Sequence, residues 1–369
     1  MKKLLFVIPS MAEGGAERVM SILLNQLNHE NTSLNLVLFN KTGTYLNKIP
    51  ASVKVFDLDK KNAWSFPRLI TQLAGIIRSE RPDCVVSFLE YANIVTLLAR
   101  YLVRDTRIRW IISERSLPSR DLAGQRKGKL KFYLHRLLDP QADKIITMSS
   151  QTADEMIRHY HVAPEKTEVI PNPVEIDRLR TLAQEPADHP WFHETIPVLL
   201  AMGRLTRAKG FPVLIEAFAR VHSQVPARLM ILGDGSMRAE LYDQITRLGL
   251  ADHVWMPGFI ANPYPYLSQA NIFVLSSLWE GMPNALLEAM ALEKPVITTS
   301  CNESVNQLII PGQNGIVIPP NDAIALAESI QTLLADKELQ NRFAKRNKDQ
   351  IRAYDVIPIL QQFEKAFYL

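Results

Sequence analysis

The sequence predicts an α/β protein built from two Rossmann-like, doubly wound domains facing a central cleft. Three observations carry that expectation. Short apolar runs alternate with helical periodicities along most of the chain, the pattern of parallel strands buried on both faces by crossover helices. The pattern also restarts: residues 4–18, LLFVIPSMAEGGAER, and residues 197–211, PVLLAMGRLTRAKGF, each lead from an apolar strand into a glycine-bearing loop. A length of 369 residues suits two domains of ordinary size.

In the first half the apolar runs place strands at 4–8, 34–39, 53–58, 84–87, 108–113 and 144–148, with helices at 16–27, 66–79 and 91–101. In the second half strands are expected at 198–202, 228–232, 254–256, 272–275 and 295–298, and helices at 211–222, 237–248, 283–292 and 323–334. Residues 183–197, rich in proline and acid, read as the inter-domain linker, with a hinge as early as the Pro-Asn-Pro-Val at 171–174. Doubly wound domains bind ligands at the carboxyl ends of their strands, which places a ligand in the cleft.

Composition excludes several classes. With 47% hydrophobic and 22% charged residues the chain is neither disordered, collagenous nor a coiled coil. No run of 18 apolar residues is present to span a bilayer. Cys84 and Cys301 are too few for a disulfide scaffold or a cysteine zinc cluster and suit a reducing compartment. The opening MKKLLFVIPSMA has the outline of an export signal, but its apolar run of five residues stops at Pro9. Export signals need about 7–15 such residues, so a buried strand running into a loop is the better reading.

The net charge of +4 is concentrated: residues 100–139 hold eleven Lys/Arg against four Asp/Glu, leaving 31 against 34 elsewhere. A local cationic surplus points to an anionic partner. Leu130, Leu134, Leu137 and Leu138 can share one helix face near Lys127, Lys129, Lys131 and Arg136, with Trp110, Leu117, Phe132 and Tyr133 as apolar or interfacial additions. Such a surface can lie on anionic lipid. The alternatives are a core-packed helix with solvated lysines, or nucleic-acid binding, for which no recognised module is present.

Four loops carry the chemical signals. Glu280-Gly281-Met282-Pro283-Asn284-Ala285-Leu-Leu-Glu288 follows an apolar strand. Proline suits a first helical turn, where the N–H groups of Asn284 and Ala285 would face an anion, bracketed by Glu280 and Glu288. In Gly203-Arg204-Leu-Thr-Arg-Ala-Lys209-Gly210 a tight turn is followed by a guanidinium fork and an ammonium suited to a diphosphate. Gly233-Asp234-Gly235 follows a strand, but Arg238 stands where a dinucleotide fingerprint has its third glycine, so no redox cofactor is expected. Gly14-Gly15 is a further phosphate-approach loop. Capped surface helices and solvated basic loops would account for each loop taken singly.

Taken together, GRLTRAKG, ILGDGSMR, EGMPNALLEAMA ahead of KPVITTS, and the early GGAER resemble the retaining nucleotide-sugar glycosyltransferases of the GT-B fold, family-four type, over nearly the whole chain. The resemblance implies a first, acceptor-side domain at 1–175, joined by a crossover helix at 354–369, and a nucleotide-sugar-binding domain at 176–353. It implies that Glu280 contacts donor-sugar hydroxyls, that Glu288 binds the ribose, and that Arg204 and Lys209 clamp the diphosphate. The backbone of Gly281, Met282, Pro283, Asn284 and Ala285 would touch sugar and phosphate. Gly203 would turn the clamp loop, and Gly233, Asp234, Gly235, Phe259 and Ile260 would border the base. Gly15 would close over the diphosphate, and Glu114 and Arg115 would serve the acceptor side, at the place where many relatives carry a histidine near the donor sugar. The stretch TTSCNESVNQLI likewise departs from the glycine pair common after that strand.

The resemblance further implies transfer with retention, the departing phosphate helping to deprotonate the acceptor. No carboxylate stands out as a nucleophile, so hydrolase-type double-carboxylate chemistry fits poorly. With Arg204 and Lys209 to neutralise charge, neither metal nor cofactor is expected, and Asp57-Leu-Asp59, a literal D-x-D, reads as a polar strand end. GGAER, SFLEYAN and ISER look like bacterial enzymes that extend lipid-linked saccharides. The expected partners are therefore a nucleotide-sugar donor, UDP favoured, a polyprenyl-diphosphate-linked glycan acceptor and an anionic membrane surface at residues 100–139, with no nucleic acid. The expected location is cytoplasmic, on the inner face of the membrane. A nucleotide-sugar epimerase and a non-catalytic sugar-nucleotide binder share the same loops and remain alternatives.

Overall fold

The computed structural model describes residues 2–12, 14–27, 29–62, 65–115 and 128–368. The chain forms two compact units, Met1–Pro173 with Val356–Leu369, and Val174–Asp355. In the first, strands β1 (Lys2–Ile8), β2 (Thr32–Leu38), β3 (Lys54–Asp57), β4 (Cys84–Phe88), β5 (Arg109–Glu114), β6 (Lys144–Thr147) and β7 (Thr167–Val169) lie in the order β3-β2-β1-β4-β5-β6-β7. In the second, β8 (Val198–Met202), β9 (Arg228–Leu232), β10 (Val254–Gly258), β11 (Ile272–Leu275), β12 (Val296–Thr299) and β13 (Ile316–Ile318) lie in the order β10-β9-β8-β11-β12-β13. Pairing is parallel in both sheets. Strand order reverses between β1 and β4 and between β8 and β11, and at such a switch point the flanking loops diverge and leave room for a ligand.

The apolar runs become central strands because each must be covered twice. Successive side chains of β1 alternate faces. Leu4, Phe6 and Ile8 pack with Met20, Leu23 and Leu24 of the helix Gly15–Gln26, while Leu5 and Val7 pack with Leu69, Leu73 and Val95 on the other face. The last helix, Val356–Tyr368, returns to the first unit, burying Ile359, Phe363 and Phe367 at helical spacing. Phe367 meets Phe6 edge-on at 5.7 Å, and the Tyr368 hydroxyl is 2.8 Å from Thr32 Oγ1.

Several expectations need correction. Residues 183–197 are no linker: the His189 ring lies 4.3 Å from Trp255, the Arg228 guanidinium 5.1 Å from the Trp191 ring, and Arg228 bonds Glu194 at 3.1 Å. Aromatic and charged anchors fasten the proline-rich stretch to the second unit, and the division falls at 173–174, where Val174 bridges Asp355. The four leucines of the basic segment do not share a face. Leu138 is buried and Leu134 packs against a core cluster, while Leu130 and Leu137, with Tyr133, are exposed. Trp110 is a core residue at 1% exposure, not an interfacial one. Residues 116–127, including Leu117 and Lys127, lie outside the described residues.

Candidate functional site

In the second unit the clamp loop and the paired-glutamate loop leave neighbouring strands at the switch point. β8 runs into Gly203, a 3₁₀ turn at Arg207–Lys209 and the helix Phe211–His222. Gly210 adopts φ +62°, and a Cβ there would meet the Ser276 carbonyl at 2.1 Å, so only glycine allows the loop this close to the end of β11. Two hydrogen bonds fix the approach, from Leu278 N–H to the Ala208 carbonyl at 2.7 Å and from the Ser276 hydroxyl to the Lys209 carbonyl at 2.9 Å.

This packing carries Lys209 onto Glu280. The ammonium is 2.5 Å from Glu280 Oε1, and the Ser277 hydroxyl donates to the same oxygen at 2.7 Å. Both charged side chains are largely buried, 18% and 12% exposed, which strengthens their attraction relative to a surface pair. Lys209 is thus tied to the carboxylate, whereas Arg204 lies exposed on the same loop.

The helix after β11 covers Asn284–Ala291, with Pro283 at its N-cap rather than in the first turn. The Pro283 carbonyl accepts from Leu286 and Leu287, so Asn284 and Ala285 precede the first intrahelical bond. Met282 and Pro283 are buried beside that tip, and Glu288 is buried in the second turn.

Next to the clamp, the loop after β9 stacks backbone against backbone. Gly203 N–H donates to Leu232 O at 2.9 Å, Leu205 N–H to Asp234 O at 2.8 Å and Gly233 N–H to Gly258 O at 2.8 Å. A Cβ on Gly233 would lie 2.0 Å from the Gly203 carbonyl oxygen, so a side chain is excluded there. Gly235 continues this loop, and Phe259, exposed, and Ile260 follow β10 at the same end of the sheet. Arg238, at the position of a fingerprint's third glycine, opens the helix Arg238–Arg247 and lies 3.8 Å from Asp234.

In the first unit Gly15 begins the helix that follows β1. Glu114 ends β5 and Arg115 follows it, both buried. Asn93, itself accepting from Ser87, donates to Ser113 O at 3.2 Å and to Glu114 Oε2 at 3.4 Å. Arg115 donates to Asn172 and stands 5.5 Å from the Phe88 ring. Burial pulls its guanidinium down to about 10, with Glu114 opposing. Glu114 and Arg115, expected on the acceptor side, are therefore part of a buried polar network.

Other residues of these sites were missed in the sequence. Ser277, Asn302 and Ser304 surround the Glu280 loop. A histidine does enter the Glu114 neighbourhood: His135, fully buried on the helix Gly128–Leu138, bonds Asp139 Oδ2 at 2.8 Å and approaches Glu90 at 3.7 Å. Burial disfavours its charge, but Asp139, Glu90 and Glu114 outweigh that and push the imidazole up to about 10. The i, i+4 spacing of His135 and Asp139 was a signal for the pair. Cys301 follows β12, and burial, then Glu280, push its thiol up to about 12, which makes it a poor nucleophile.

Asp57 and Asp59 close a turn: Asp59 N–H donates to Asp57 Oδ1 at 2.9 Å and Lys61 lies 2.7 Å from Asp59. Among the described residues no group of three or more His, Cys, Asp or Glu is placed to share a metal, and no helix is long and apolar enough to cross a membrane.

Residues 13–178 match the model of Glycosyltransferase Family 4 and residues 186–350 that of Glycosyl transferases group 1. An N-acetylgalactosamine-N,N'-diacetylbacillosaminyl-diphospho-undecaprenol 4-alpha-N-acetylgalactosaminyltransferase of Campylobacter jejuni is 27% identical over 367 residues, 97% of each chain. An uncharacterized glycosyltransferase of Methanocaldococcus jannaschii is 28% identical over 84% of this chain and 86% of its own. Among solved structures, Anabaena Alr3699/HepE in complex with UDP superposes with a TM-score of 0.82 at 22% identity, over 99% of both chains. Two parallel α/β units, a match to a glycosyltransferase model in each half and this superposition converge: the chain belongs to the GT-B glycosyltransferases of the family-four type.

Proposed function

We propose that the protein moves a hexose or N-acetylhexosamine from a nucleotide-diphosphate sugar, UDP favoured, to a hydroxyl of a lipid-linked glycan in bacterial polysaccharide or glycan biosynthesis, with retention and without a metal. The observation that carries this reading is the Lys209–Glu280 contact at the β8/β11 switch point. It sets a cation for phosphate against an acid for sugar hydroxyls, beside a helix N-terminus that favours negative charge. In this reading Arg204 and Lys209 stabilise the departing diphosphate through preorganised charge. Glu280 orients the sugar, Glu288 holds the ribose, and the loops at Gly233–Gly235 and Phe259–Ile260 border the base. The leaving phosphate takes the acceptor proton on the face it departs from. Gly15, Glu114 and Arg115 serve the acceptor side. The Campylobacter relative is named for α-linked transfer to a diphospho-undecaprenol glycan, and HepE was solved with UDP, which supports the choice of acceptor and donor.

Transfer from a panel of nucleotide sugars to polyprenyl-diphosphate-linked glycans tests the reading. One donor should be consumed in the presence of excess EDTA, giving a product of unchanged anomeric configuration. An inverted linkage, epimerised donor without transfer, or activity lost in EDTA and restored by manganese would contradict it.

We infer that the protein lies at the inner face of the cytoplasmic membrane through the helix Gly128–Leu138. There exposed Leu130, Tyr133 and Leu137 recur at helical spacing beside exposed Lys129 and Arg136. Flotation with anionic vesicles at low salt should carry the protein upward, and Leu130→Ser with Leu137→Ser should abolish it; no flotation of the wild-type protein would remove this placement.

A further inference from the structure

The Glu280 loop is held from behind by a short segment with no role in the reading above, although the inference rests on that reading. Asn302, 7% exposed, follows β12 and caps the helix Glu303–Leu308 by accepting from Val305 N–H at 2.9 Å. Its amide nitrogen donates at the same time to the carbonyls of Glu280, at 2.8 Å, and Gly281, at 2.5 Å. The Ser304 hydroxyl, 2% exposed, adds a third bond to the Gly281 carbonyl at 2.9 Å.

A trans peptide is planar and its C=O and N–H point in opposite directions. Anchoring the carbonyls of Glu280 and Gly281 toward the helix Glu303–Leu308 therefore turns the N–H groups of Gly281 and Met282 away from it. The same anchors withdraw two partial negative charges from the side on which a diphosphate sugar would be held. They also fix the backbone of Glu280, whose carboxylate is steadied separately by Lys209 and Ser277.

We propose that Asn302, assisted by Ser304, is a positioning residue for donor binding, acting through the backbone of residues 280–282 and touching no substrate itself. Asn302→Asp isolates this role. A carboxylate keeps the helix cap, since Asp and Asn serve almost equally there, but it cannot donate to the two carbonyls and repels them.

The test compares wild-type protein, Asn302→Asp, Ser304→Ala and Glu280→Ala in steady-state transfer with donor and acceptor varied independently, and in thermal unfolding. Losing charge-free hydrogen bonds at a buried site is worth roughly tenfold. Asn302→Asp should raise the donor KM about tenfold or more, leave the acceptor KM within about twofold, and unfold within a few degrees of wild type. Ser304→Ala should show the same split, smaller. If Glu280→Ala is crippled while Asn302→Asp keeps the wild-type donor KM, the positioning role is overturned and the site reading stands. If donor and acceptor KM move together with a large drop in melting temperature, the residue is only structural and the proposal also falls. Normal kinetics in Glu280→Ala would remove the site reading and this inference with it.

Discussion

Replacing Arg204 or Glu280 with alanine is expected to cut turnover by about a hundredfold or more while leaving the fold intact. In the proposed reading each removes a group aimed at charge or hydroxyls of the donor, and deletion of one such preorganised contact typically costs about 10²–10³ in rate. Neither belongs to the apolar core. Arg204 is exposed, and the Glu280 loop keeps its backbone bonds from Asn302 and Ser304 when the carboxylate is removed. The measurement is kcat and kcat/KM alongside thermal unfolding. Near-normal turnover in either variant would mean that the chemical centre lies elsewhere.

Replacing His135 should have the largest effect on stability. Its ring is fully buried, as is the Asp139 carboxylate it bonds at 2.8 Å, and Glu90 faces its other nitrogen at 3.7 Å. Lys131 shares Glu90 at 3.0 Å, Glu114 acts from β5, and Tyr160 packs 5.7 Å from the ring. Removing one member of a buried charged set leaves the others uncompensated, so His135→Gln is expected to destabilise the protein by about 3–5 kcal/mol.

The sign with pH follows from the imidazole being raised to about 10 from its ordinary 6.5. The folded state holds the proton more tightly than the unfolded chain. Its contribution is complete below 6.5 and is lost progressively as pH climbs to about 10. Glu90, which His135 and Lys131 hold below its usual value against burial, stays ionised over that window, and burial keeps the Tyr160 hydroxyl protonated. Urea unfolding from about pH 6 to about pH 9.5 should show falling stability in the wild-type chain and a flatter profile in His135→Gln. Equal slopes would contradict this account of the cluster.

The sheets were legible in the sequence because central strands buried on both faces leave uninterrupted apolar runs, as at 4–8 and 272–275. The edges were not. β7 has no buried residue and β13 is buried only at Ile318, so neither makes a run that stands out. The helix Lys337–Gln350 was missed for a similar reason: it buries only Gln340, Phe343 and Asn347, and apart from Leu339 and Ala344 the rest is polar.

At the site, glycines and paired charges close together in sequence could be read as loops. Asn302 and Ser304 could not, because their partners lie 22 and 23 residues away and meet them only through adjacent β11 and β12. Likewise the basic segment showed its charge but not its packing. Tertiary contact, not periodicity, decides that Trp110 is interior while Leu130 and Leu137 face solvent.

The central claim is that Arg204, Lys209 and the helix tip at Pro283–Ala285 hold one pyrophosphate. A crystal structure of the protein with UDP tests it most directly. The account predicts the β-phosphate within hydrogen-bond reach of the Arg204 and Lys209 side chains and of a backbone N–H at 282–285. A diphosphate seated away from those groups would contradict it.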